Sequence, residues 1–172
     1  MSHQEEEEKI SSIQSHETFI SSHERRDQDD MDTGKKQIPI EEGLFTIPSS
    51  SDEEAYLIGT KCKACGLAAF PSIPTCPRCV RPGTMEEARL RGKGKLDSFS
   101  IVNAALPGFK APSIQAYIIL EEGPKIWSLI TGCEPREDAL NTNMDVELVI
   151  AKVREDEEGN EIISYQFKPV GN

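Results

Sequence analysis

Four cysteines carry the most specific chemistry in this chain. Cys62, Cys65, Cys76 and Cys79 form two Cys-x-x-Cys pairs with ten residues between the inner members. That spacing lets two tight knuckles close on a single tetrahedral ion, the arrangement of a zinc ribbon. Four thiolates saturate a tetrahedral zinc and leave no position for an activated water or a substrate oxygen. The expected metal is therefore one structural Zn2+ per chain, a staple and not a catalyst. Ligand type alone does not separate it from iron, and ribbons outnumber rubredoxin-type electron carriers. Pro77 presets the turn of the second knuckle, and Gly66 directly follows the first. There it can supply the positive φ that turns backbone N–H groups toward sulfur. Cys133 stands apart and reads as a small, partly buried core or loop thiol.

The missing residues are as informative. All three histidines, His3, His16 and His23, lie near the N-terminus. A Cys–His or Ser–His pair cannot be assembled anywhere in the remainder. No pair of carboxylates stands out from the acidic surface, and Gly92-Lys93-Gly94 lacks the rest of either nucleotide fingerprint. Catalysis by this chain unaided is not expected.

With 172 residues the chain can hold one ordinary domain or two small ones. A net charge of −11 and a pI near 4.8 argue against a general nucleic-acid binder. The charge is uneven: residues 56–112 carry nine bases and three acids, whereas residues 113–172 carry five bases and twelve acids. The basic middle concentrates at Arg78, Arg81, Arg89, Arg91, Lys93 and Lys95. It is either ordinary solvated surface or a place for phosphate or an acidic partner. Cysteines at ligand spacing, an acidic N-terminus and no apolar stretch near 18 residues point to a reducing cytoplasm and no membrane span.

Four segments position these residues. Residues 1–33 are an acidic tail whose thin apolar stripe (Ile10, Ile13, Ile20) does not fold alone; it is disordered or ordered on a partner. Residues 34–55 are an extended docking arm, too rich in proline for a central strand, with a short helix start expected at Ser49-Ser50-Ser51. Residues 56–91 hold the ribbon and a linker, with strands at 56–60 and 68–71 and a helix or strand at 85–90. Residues 92–172 alternate with period two. Strands are expected at 95–103, 115–120, 125–131, 145–153 and 161–167, with one helical turn within 134–140. Five antiparallel strands with an irregular segment after the third is the order of an OB-fold barrel. Tyr117, Trp127 and Phe99, being strand-borne, are assigned to its core. The fold class is thus mostly β: a rubredoxin-like zinc ribbon, then a five-stranded OB-fold barrel, with an extended or partly helical N-terminal arm.

Taken with the run Glu42-Gly43-Leu44-Phe45-Thr46, the segment Leu57-Ile58-Gly59, the two knuckles, Phe70-Pro71, Pro107-Gly108-Phe109 and Glu134-Pro135, this order resembles the acyl-CoA-associated family of rubredoxin-like zinc ribbon plus OB-fold proteins. The likeness covers about residues 40–170, and the acidic tail departs from it. It implies a non-catalytic subunit whose thiolase-like partner supplies the missing cysteine and histidine, in a hetero-oligomer handling a coenzyme A thioester. Leu44, Phe45 and Ile47 are then expected to bury against that partner. The loop carrying Pro107, Gly108 and Phe109 would help close the acyl pocket. Arg78, Arg81, Arg91, Lys93 and Lys95 would meet the phosphates of coenzyme A or an acidic rim on the partner. The competing readings are an accessory subunit of an aldolase or hydratase, an iron-loaded electron carrier, and an OB-fold nucleic-acid binder.

Overall fold

Period-two alternation in the second half of the chain closes a five-stranded barrel. In the computed structural model, which describes residues 35–50 and 53–171, nine strands follow one another. They are β1 (Gln37–Pro39), β2 (Leu57–Cys62), β3 (Ala68–Ala69), β4 (Met85–Leu90), β5 (Lys93–Val102), β6 (Ser113–Leu120), β7 (Lys125–Ile130), β8 (Asp145–Glu155) and β9 (Glu161–Pro169). A single 3-10 turn, Glu137–Ala139, lies between β7 and β8. β5, β6 and β7 pair as antiparallel neighbours, β7 meets β9 in parallel at Ile130 and Phe167, and β9 runs antiparallel to β8. β8 returns to β5 through Lys93–Lys95, which closes the ring. The connectivity is that of an OB-fold.

The inward positions of each strand make the core. Leu96, Ile114, Ile118, Leu120, Val146 and Phe167 are all essentially inaccessible, and burying each contributes roughly 1.5–3 kcal/mol. Ser128, Ser164 and Gln166 are the buried polar residues among those described; the Ser128 hydroxyl donates to the Leu129 and Tyr165 carbonyls at 3.2 and 3.4 Å. On β6 the barrel takes Ile114, Ala116, Ile118 and Leu120 inward and leaves Ser113, Gln115, Tyr117 and Ile119 on the outer face. Tyr117 and Trp127 therefore point out, 49% and 47% exposed, and are not core residues as their strand positions suggest. Phe99 is half-buried against the core.

β2, β3 and β4 form a second, three-stranded sheet that carries the cysteine knuckles. The stretch Met85–Leu90 is a strand because six consecutive residues find partners on β2, from Leu57 opposite Leu90 to Cys62 opposite Met85. Tertiary pairing outweighs the helix propensity of Glu86, Glu87 and Ala88. Between β4 and the barrel, Gly92 makes the turn at φ +67°. A Cβ there would sit 2.3 Å from that of Leu148, whose N–H donates to the Gly92 carbonyl at 2.8 Å. Only glycine satisfies both conditions.

The arm from Lys36 is pinned along its length. β1 lies parallel to the start of β9, Gln37 opposite Glu161. Its proline closes this short edge strand, where a missing donor costs nothing. Further on, Phe45 bridges to Leu57 and is only 8% exposed. The Tyr165 ring of β9 meets Phe45 edge-on at 6.3 Å and Phe70 of the ribbon at 5.3 Å. Arm, ribbon and barrel converge on that one tyrosine, and its burial pushes the phenol pKa up. The expected helix start is not formed: Ser49 and Ser50 make a bend, and residues 53–56 have no regular structure. Glu53 accepts the Ser49 N–H at 2.9 Å, a contact four residues apart and not the three of a capping box. Ser51, Asp52 and the acidic tail (1–33) lie outside the described residues. Among the described residues no helix is long and apolar enough to cross a membrane.

Candidate metal centre and barrel-end cavity

The β2–β4 sheet brings all four ribbon cysteines together. Their Sγ atoms lie within 4.8 Å of one another, with Cys62 and Cys79 at 4.0 Å and Cys65 and Cys76 at 3.6 Å. These separations are far beyond a sulfur–sulfur bond of about 2.05 Å. They match the edge of about 3.8 Å that a tetrahedron with metal–sulfur bonds of about 2.3 Å requires. Cys62 and Cys76 are buried, and Cys65 and Cys79 are half-buried. The donor set fits a closed tetrahedral ion.

Each knuckle supplies polar support. The Thr84 hydroxyl and the backbone N–H groups of Cys65 and Ala64 outweigh burial and hold the Cys62 thiol down at about 6. Contact with Cys65, then burial and the other two sulfurs, pushes the Cys79 thiol up to about 12. Four thiols this close cannot all ionise unaided, and a divalent cation removes the conflict. In the second knuckle the Cys79 N–H donates to Cys76 Sγ at 3.4 Å.

The basic residues at the ribbon–barrel junction do not form one open patch. Arg91 is held by Glu121 at 3.3 Å and Glu122 at 3.6 Å, and Lys95 by Asp145 at 2.8 Å. The acidic second half of the chain thus neutralises part of the basic middle. Arg78, Arg81 and Lys93 are exposed and have no carboxylate partner among the described residues. Of the three arm residues, Phe45 is spent in the chain's own core and Leu44 packs against it, whereas Ile47 is 43% exposed.

The β5–β6 loop, by contrast, roofs a cavity of about 470 Å³ at one end of the barrel. Leu106 and Phe109 line it from the loop, and Trp127, Leu129, Cys133 and Gln166 line it from the barrel side. Pro107 and Gly108 are exposed at the loop tip without lining it, and Gly108 turns the chain at φ +86°. The Arg154 guanidinium lies 5.9 Å from the Phe109 ring centroid. Burial raises the Cys133 thiol pKa, so the group stays protonated. Lys110, Trp127 and Gln166 were not among the site residues expected from sequence. The one readable signal was Lys125, two residues from Trp127 and hence on the same strand face, which had to be the solvent face.

A four-cysteine ribbon followed by an OB-fold barrel defines a class of mostly β accessory modules. Residues 87–151 match the family described as ChsH2, C-terminal OB-fold domain. The chain is 43% identical to a DUF35 domain-containing scaffold protein of Methanothermobacter thermautotrophicus, over 65% of this chain and 84% of the relative. It is 41% identical to a protein of the same description from Methanocaldococcus jannaschii, over 70% and 86%. It therefore belongs to the family of DUF35 domain-containing scaffold proteins. It is also 34% identical to the benzoylsuccinyl-CoA thiolase subunit BbsA of Thauera aromatica, over 67% of this chain and 77% of that subunit. A solved chain of the Ltp2-ChsH2(DUF35) aldolase shares the fold, with a TM-score of 0.55 at 24% identity, covering 67% of this chain and 86% of that one.

Proposed function

We propose that this chain is a non-catalytic, zinc-stapled subunit of a thiolase-type acyl-CoA complex, which docks on the catalytic chain and helps to shape or close its acyl-CoA site. The observation that carries the reading is a roofed cavity whose lining, among the described residues, holds no histidine and no carboxylate. Such a chain can bind and enclose, while a companion supplies nucleophile and base. Likeness to proteins named as scaffolds, and to one named as a subunit of benzoylsuccinyl-CoA thiolase, supports the same division of labour.

Within this reading one Zn2+ joins the four sulfurs and its binding free energy becomes folding free energy of the ribbon. The Leu106–Phe109 loop closes over the acyl-CoA site and excludes water. Ile47 on the arm, with Arg78, Arg81 and Lys93 on the ribbon side, faces the catalytic chain, where cations suit an acidic rim.

The test is affinity purification of the tagged chain from its native host, with identification of what accompanies it. A thiolase-fold chain at fixed stoichiometry, with thioester turnover only by the pair, is expected. An aldolase or hydratase in its place keeps the accessory role and removes the thiolase. Turnover by the single chain would overturn the proposal.

A further inference from the structure

β4 lies at one end of the ribbon sheet, with β2 on one side and no strand on the other among the described residues. The register fixes which of its backbone groups are left over. The Lys63 N–H donates to the Thr84 carbonyl at 2.8 Å, so Thr84 faces β2, and by the alternation of a strand so do Glu86, Ala88 and Leu90. The N–H and C=O groups of Met85, Glu87 and Arg89 therefore point away from β2. None of them has a hydrogen-bond partner among the described residues. An open edge of this kind is a template for another strand.

Charge commonly blunts such an edge, and Glu87 and Arg89 are both exposed. They are of opposite sign, however, and lie two residues apart on one face of the strand. Neither has an ion-pair partner among the described residues; Arg89 only stacks over the Tyr56 ring at 4.6 Å. The neighbouring charges are spent within the chain, Glu86 on Lys63 at 2.8 Å and Arg91 on Glu121 at 3.3 Å. A second copy of this edge can pair with it only antiparallel, across a two-fold axis. An axis at Glu86 or Glu87 sets a glutamate against its own copy, and an axis at Arg89 sets arginine against arginine. With the axis at Ala88, Glu87 of each copy lies opposite Arg89 of the other. Ala88, a small residue, then meets its own copy at the closely spaced position that carries no hydrogen bonds.

We infer that two copies of this chain associate edge to edge through β4, centred on Ala88, so that the two ribbon sheets run on as one. In each Glu87–Arg89 pair the backbones exchange both N–H···O bonds, and the side chains form an ion pair on the same face. The pairing ends with the strand, because the next N–H, that of Arg91, is given to Glu122 at 3.0 Å. The seam is narrow, so the dimer is weak and depends on concentration. A strand from an unrelated chain could meet the same backbone groups, but only a copy of this edge must bring arginine to Glu87 and glutamate to Arg89. None of these residues lines the barrel-end cavity, and the inference does not rest on the proposed acyl-CoA complex.

Sedimentation velocity of the metal-loaded full chain, from micromolar to millimolar concentration, reads the association directly. A monomer–dimer equilibrium is expected. Arg89→Glu sets glutamate against glutamate on both sides of the axis and should weaken the dimer about tenfold, as should Glu87→Arg. The double variant Glu87→Arg/Arg89→Glu should recover it, since the opposed signs return in mirror order. Glu87→Pro removes an N–H that no bond within the chain uses, so it should abolish the dimer while bound metal and circular dichroism stay unchanged. A chain that is monomeric at millimolar concentration overturns the inference. So does a dimer indifferent to Arg89→Glu, or one that the double variant fails to recover. A monomer whose Arg89→Glu variant loses a co-purifying companion assigns the edge to that companion and overturns self-pairing as well.

Discussion

Val80 stands to Cys76 as Gly66 stands to Cys62. Each donates its backbone N–H at 2.8 Å to the carbonyl of the cysteine that opens its knuckle, and each has a positive φ, 51° for Val80 and 74° for Gly66. Glycine adopts that conformation freely; a β-branched side chain does not. Val80 is also 73% exposed, so no packing offsets the strain. Val80→Gly should raise the stability of the metal-loaded chain by about 0.5–1 kcal/mol, after allowance for the greater chain entropy of glycine. A thermal melt checks it. An unchanged or lower midpoint would show that the knuckle tolerates valine without strain.

The four sulfurs act as one unit, so losing any of them opens the cage. Cys76→Ser should remove bound metal and, with it, the order of the β2–β4 sheet. Metal analysis should fall from one ion per chain to none, and circular dichroism should change in step. A folded, metal-free variant would end the staple reading. Zinc rather than iron at the wild-type site is checked in the same assay, since an iron tetrathiolate absorbs visible light.

Gly92 couples the ribbon to the barrel through a contact that admits no side chain. Gly92→Ala should cost about 2–4 kcal/mol, combining an αL penalty with overpacking against Leu148. Denaturant unfolding measures it. A loss under about 0.5 kcal/mol, the range of neutral surface changes, would mean that Leu148 moves aside freely.

In the barrel, Leu96 is fully buried between β6 and β8. Leu96→Ala should cost about 2–5 kcal/mol in chemical denaturation with little change in bound metal. Loss of the metal in parallel would show that ribbon and barrel unfold as one.

Asp156 organises the β8–β9 turn. Its carboxylate accepts the Asn160 side-chain and backbone N–H groups at 2.9 and 2.8 Å and the Glu158 N–H at 3.0 Å, which lowers its pKa below the ordinary 3.8. A depressed native pKa contributes stability that is complete above the unfolded value and is lost as pH falls through the native one. Acid unfolding curves should therefore steepen below about pH 4, and Asp156→Asn should flatten that part of the curve. An identical slope in the variant would show that other carboxylates set the acid limit.

The strands and the barrel order were readable because alternation is a local signal, and the barrel hairpins join neighbours in sequence. The cysteine knuckles were readable for the same reason, since ligand spacing is a short-range property of the chain. Ser49–Glu53 shows the limit of local signals: a side-chain contact forms there, but not at capping-box spacing and with no helix behind it.

Which groups remain available after folding was set by contacts between distant parts of the chain. β6 carries large side chains on both faces, and barrel closure turned Tyr117 outward and Ile118 inward. Arg91 and Lys95 looked open until strand register set Glu121, Glu122 and Asp145 beside them. Phe45 looked like a docking residue until Leu57 and Tyr165 enclosed it. The physical reason is common to all three. A residue's type and spacing set what it can do, but its freedom to do it depends on partners brought from far along the chain, and no local pattern encodes them.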